Sequence, residues 1–122
     1  MYIIDYRLKA YLIEQAISVL INNFGYEGEH IQRFEYSFHV CFQDYLKEMR
    51  EQQKGLWDGI LCEIIEDPEK RSYFTGMLCG HQIIKTLHYS LEFNEQELEQ
   101  FEQIFVKRVK TPNEQTHERE KN

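Results

Sequence analysis

Apolar residues recur along this chain at intervals of three and four, the spacing of one helix face, and nowhere in the sustained alternation that marks a strand. From Asp5, a residue suited to capping, Tyr6, Leu8, Leu12, Ala16, Ile17, Leu20, Ile21 and Phe24 hold this spacing until Gly25 supplies a stop. After the turn Tyr26-Glu27-Gly28, the stripe Ile31, Phe34, Phe38, Cys41, Phe42, Tyr45, Leu46 and Met49 predicts a second helix to about Gln53. Leu56, Trp57, Ile60, Leu61, Ile64 and Ile65 predict a short third helix that stops before Pro68, because the residue preceding a proline avoids helical dihedrals. Asp67-Pro68-Glu69 then reads as cap, first helical residue and dipole-complementing acid of a fourth helix that reaches about Leu91. A fifth starts at Asn94, with Glu97 placed to close a capping box, and carries Leu98, Phe101, Phe105 and Val109 on one face. Beyond Thr111-Pro112 there is no apolar residue, so residues 111–122 are expected to form a disordered polar tail behind a single helical domain at 1–110. The expected fold is all-α, a compact bundle of about five helices.

Two of these segments are apolar over more than a stripe. At 100° per residue, the first helix carries apolar side chains over roughly 220°, and so does the fourth, through Ile83, Leu87, Tyr73, Ile84, Met77, Phe74 and Leu78. A surface helix needs only about 100°. One of the two is therefore expected to lie between subunits, in a homo-oligomer whose commonest form is a two-fold dimer. The alternative is that the short third helix and the fifth close over both arcs within one chain.

Composition narrows the function by exclusion. The chain has 122 residues, 42% of them hydrophobic, enough for one core. Twenty-one acidic residues against 14 basic ones give a charge of -7, which opposes binding to a phosphate backbone. Lys107, Arg108 and Lys110 are too few for a nucleic-acid footprint and suit a helix end, where cations meet the dipole. No apolar run approaches the ~20 residues of a membrane span, and Met1-Tyr2-Ile3-Ile4-Asp5 lacks the pattern of a signal peptide, so a cytoplasmic protein is expected. Cys41, Cys62 and Cys79 are odd in number and widely spaced, which suggests neither a disulfide framework nor a zinc site; they are expected to be reduced, partly buried thiols.

Candidate chemistry is sparse. Gly76 and Gly80 lie four apart inside the fourth helix, each at a cost of about 0.5–1 kcal/mol relative to alanine, so a close helix crossing or a ligand slot should compensate. Gly80→Leu is accordingly expected to disrupt more than the same change at Thr75, on the polar face. His81 and His88, seven apart, fall on one side of that helix in its apolar arc, and about 10 Å along the axis is too far for one metal ion. They are expected either to be satisfied core histidines or to contact a ligand. Cys79 with His81, and Cys41 with His39, point to opposite sides of their helices, which excludes a thiolate dyad. No serine sits in a nucleophile elbow, so no catalytic residue, metal site or cofactor is expected. Tyr11, Tyr36 and Tyr89 fall on polar or marginal faces and are expected to be accessible, where tyrosine serves as an interface anchor.

These features point to a non-enzymatic protein-binding module, a small acidic adaptor or inhibitor that blocks or recruits a larger protein. Its format is similar to that of phage or mobile-element regulators that block host proteins. The alternatives are a small-molecule-binding bundle with a pocket near Gly80, His81, His88 and the Phe34-Phe38-Phe42 ridge, and an enzyme whose site is assembled from separate helices.

Overall fold

The structure is a computed structural model that describes residues 4–52 and 67–121. Four helices make up this part of the chain: α1 (Tyr6–Phe24), α2 (Glu29–Gln52), α3 (Pro68–Ser90) and α4 (Glu95–Lys121). No strand occurs among the described residues, so the all-α expectation stands. The predicted short helix at Leu56 to Ile65 lies outside the described residues, as does Cys62.

The helix boundaries follow from cap chemistry. The Asp5 carboxylate accepts from the Leu8 N–H at 3.2 Å and starts α1. Gly25 ends that helix at φ 73°, a conformation that costs glycine nothing, and the Tyr26 N–H then folds back to the Leu20 carbonyl at 3.0 Å. Asp67 caps α3 through the N–H groups of Glu69 and Lys70, with Pro68 in the first turn where its missing N–H leaves no bond unmade. At α4 the capping box closes in both directions: the Glu97 N–H donates to Asn94 Oδ1 at 2.8 Å, and the Asn94 N–H donates to Glu97 Oε1 at 3.0 Å.

Backbone helix continues through Lys121, across Pro112. Pro112 removes one backbone hydrogen bond there, while the Glu, Gln, Arg and Lys that follow it have high helix propensity. Residues 111–121 therefore extend α4 with no apolar side chain among them.

α3 is the element on which the others assemble, packing against α2, α1 and α4, whereas α2 and α4 do not pack on each other. Phe34, Phe38 and Phe42 of α2 are fully buried against it, stacked along one face with Phe38 and Phe42 5.5 Å apart. A second aromatic knot closes the other end, where Phe93 in the α3–α4 link lies 5.1 Å from Phe24 and 6.5 Å from Phe101. α1 packs against α3, α4 and α2, and Tyr6 and Ile21 of its wide apolar arc are left exposed.

The buried side of α3 is not the centre of its apolar arc. Thr75, Leu78, Cys79, Gln82, Ile83, Thr86 and Leu87 face the core, while Tyr73 and Met77 are 72% and 56% exposed. The placement of Thr75 on a polar face is thereby corrected: it is fully buried, and its Oγ1 accepts from the Asp5 N–H at 2.9 Å. Thr86 is buried because its hydroxyl donates to the Gln82 carbonyl one turn earlier, which satisfies it without an external partner.

Candidate functional site

Turning α3 this way leaves Tyr73 and Met77 exposed and the flank beside them half covered. Gly76, Gly80, His81 and Ile84 line a half-open groove of about 680 Å³, whose other walls are Leu8, Tyr11 and Leu12 of α1 and Glu102, Phe105, Val106 and Val109 of α4. His81 also borders a shallower hollow on the α2 side, with Tyr45, Phe74, Met77 and Leu78. An outward apolar face of α3 thus runs between two depressions.

The glycines do not serve a close crossing among the described helices. A Cβ added at Gly76 or at Gly80 meets no heavy atom within 4 Å, so the expected steric reason for glycine is absent from this packing. Both backbones are instead open to the groove.

Neither histidine is a core residue. His81 is exposed at the lip between the two depressions, its ring 6.2 Å from that of Tyr45. His88 is also exposed, with Nδ1 3.1 Å from the Phe93 carbonyl, and it lines no part of the groove. The expected pocket near His81, His88 and the phenylalanine ridge therefore has to be redrawn. Gly80 and His81 border it, His88 does not, and Phe34, Phe38 and Phe42 are sealed in the core.

The tyrosines divide. Tyr36 and Tyr89 are 73% and 69% exposed, as expected, but neither reaches the groove. Tyr11 is corrected: it is half-buried, and its hydroxyl is enclosed without a hydrogen-bond partner. Burial pushes its ionisation upward, against the opposing charge of Arg108. That guanidinium is turned to α1, donating to Gln15 Oε1 and Ser18 Oγ, both at 2.6 Å.

Sequence reasoning also missed Lys9. It is almost wholly buried, its ammonium 4.5 Å from the Phe42 ring centroid and 5.5 Å from that of Tyr6, and desolvation lowers its ionisation despite Cys79 nearby. Its long aliphatic stem is the only signal that would have allowed a lysine there. Cys79 is fully buried and its thiol is pushed up to about 12, chiefly by burial, so it is no nucleophile at neutral pH. Cys41 is half-buried.

Among the described residues no three His, Cys, Asp or Glu side chains are placed to hold a metal ion, and no helix is long and apolar enough to cross a membrane. No protein-family model matches the chain, and no curated protein or solved structure matches it either.

Proposed function

We propose that this chain is a non-enzymatic protein-binding module, an acidic adaptor or inhibitor that receives a helix or loop of a larger protein on the outer face of α3. The observation that supports this best is the pair of glycines with open space above them, set between exposed Tyr73 and Met77 and the apolar wall of Phe105 and Val106. Missing side chains beside protruding ones give a surface of holes and knobs, which suits the side chains of another helix. Large exposed apolar groups of this kind, rimmed by polar residues, mark interaction surfaces more often than solvent-facing ones. The test is capture from a lysate of the cells that make the protein, comparing wild type with Gly80→Leu, which fills the groove, and with Tyr36→Ala, which lies outside it. Partners retained by wild type and Tyr36→Ala but lost by Gly80→Leu bear the proposal out. Identical capture by all three refutes it.

A second reading, a small apolar ligand in the same groove, is favoured by the unpartnered Tyr11 hydroxyl, which a ligand carrying one polar group would satisfy. Native mass spectrometry of the freshly purified protein would show an added mass that is lost in Tyr11→Phe and in Gly80→Leu.

A further inference from the structure

The seam between α1 and α4, at one edge of the groove, holds two groups whose hydrogen-bonding capacity the fold does not use. The first is the Tyr11 hydroxyl, enclosed and without a partner. The second is on Arg108, half-buried three residues after Phe105 and one before Val109, both of them groove walls. Its Nε and Nη2 donate along one edge of the guanidinium, to Gln15 Oε1 and Ser18 Oγ. The other edge, Nη1 with the second hydrogen of Nη2, meets no acceptor among the described residues, and no carboxylate among them pairs with the charge. Gln15 follows Tyr11 by one helical turn, so hydroxyl and guanidinium are neighbours on this seam. They are close enough for the cation to oppose the upward push of burial on Tyr11.

Together the two groups narrow what could complete them. A hydroxyl by itself is satisfied by a donor or by an acceptor, whereas a guanidinium only donates. A single group that meets both must accept from both, and a cation half-removed from water favours an anion in that place. A carboxylate has the required form, planar with two accepting oxygens that match an edge of N–H donors. The rest of the groove asks for hydrocarbon: Leu8, Leu12, Ile84, Phe105 and Val106 are apolar, and the missing side chains of Gly76 and Gly80 leave room over the α3 backbone. Glu102 stands six residues before Arg108, about 9 Å along α4, and is exposed, where water weakens its repulsion of an anion.

We propose that the groove binds an apolar monocarboxylic acid, its hydrocarbon along Leu12, Ile84, Phe105 and Val106 and its carboxylate between the Tyr11 hydroxyl and the Arg108 guanidinium. This rests on the small-ligand reading of the groove and adds the chemistry of the headgroup. The Tyr11 oxygen is enclosed, so the carboxylate reaches it through a rotation of side chains at the seam, a kind of rearrangement common on binding.

Isothermal titration with decanoate and with decan-1-ol, which share one tail, separates the headgroup from the groove. Decanoate should bind wild type roughly tenfold or more tighter than the alcohol does, the difference made by charge-assisted hydrogen bonds. Tyr11→Phe should lose about that factor for decanoate while matching or exceeding the urea midpoint of wild type, because the hydroxyl it removes has no partner in the fold. Arg108→Gln should weaken decanoate similarly, Tyr36→Phe should change nothing, and Gly80→Leu should lose acid and alcohol alike. If Arg108→Gln fails to fold, Tyr11→Phe decides alone. Equal affinity for acid and alcohol, or decanoate binding indifferent to Tyr11→Phe, overturns the carboxylate assignment and leaves the small-ligand reading standing. Binding of neither probe overturns both and leaves the groove to the capture experiment.

Discussion

The hydroxyl of Thr75 accepts a hydrogen bond from the backbone N–H of Asp5 at 2.9 Å, which ties the residue that starts α1 to the middle of α3. Ser72, three residues earlier, donates to the other oxygen of the same Asp5 carboxylate at 3.2 Å, so the cap of one helix is held by two side chains of its neighbour. This junction fixes how α3 is rotated, and therefore which of its faces is left outside.

Thr75→Val keeps the shape of the side chain and removes its acceptor. The Asp5 N–H is then left without its partner, an arrangement that costs about 1–3 kcal/mol when the group is enclosed. Urea unfolding should show a lower midpoint for Thr75→Val and a nearly unchanged one for Thr75→Ser, which keeps the hydroxyl. Equal loss in both variants would mean that packing volume, and not the hydrogen bond, is what Thr75 provides.

The four described helices and the caps that start or stop them were legible because they depend on neighbours in sequence. Asp5, Asp67, Gly25 and the Asn94–Glu97 box act where local chemistry places them. The rotation of α3 was not legible, because it is set by contacts such as Thr75 with Asp5, seventy positions apart. An apolar arc scores Tyr73 and Met77 above Thr75 and Thr86, yet a short hydroxyl that bonds to nearby backbone is buried at less cost than a large side chain that would overfill the site. The same blindness placed Tyr11 on an accessible polar face, whereas it is half-buried. Gly76 and Gly80 stood out as glycines inside a helix, but whether they serve a crossing within the fold depended on that rotation, and the open space above them shows that among the described residues they do not.

Cys79 should make the protein sensitive to alkali. Its thiol is raised from an ordinary value near 9 to about 12 in the folded state. Between those values the unfolded chain releases the proton first, so the native state binds more protons and stability falls as pH rises, by at most about 1.4 kcal/mol per pH unit. Below pH 9 the group should have no effect on the slope. Cys79→Ala should remove this alkaline decline while lowering stability uniformly through lost packing. Native protein should also resist thiol alkylation at Cys79 while half-buried Cys41 reacts.

Lys9 should act with the opposite sign. Desolvation holds its folded-state value below the ordinary 10.5, so between the two the unfolded chain binds the extra proton. Stability contributed by this site therefore rises with pH across that window, and at lower pH the buried charge is a net burden on the fold. Lys9→Met retains the unbranched stem against Phe42 and removes the charge. It should be more stable than wild type at neutral pH, with the gain shrinking as pH approaches 10.5. Measuring both proteins in a Cys79→Ala background separates this rise from the thiol's fall. A Lys9→Met protein less stable than wild type at pH 7 would show that attraction to the rings of Phe42 and Tyr6 exceeds the cost of burial.

Removal of residues 112–122 should leave the fold's stability almost unchanged while lowering its helix signal. The segment carries no apolar residue, so it brings no hydrophobic area to offset the entropy of ordering it. Its helix is an extension of α4 beyond Val109, the last apolar position of that helix, and Pro112 removes one of the hydrogen bonds that would support it. Helix of this kind rests on the propensity of Glu, Gln, Arg and Lys alone, which is marginal over so short a length. Truncation after Thr111 should therefore reduce far-ultraviolet ellipticity while shifting the urea midpoint little. A melting temperature several degrees lower would mean instead that the end of α4 is docked on something, and amide exchange slower at 113–121 than in an isolated peptide of that sequence would show the docking directly.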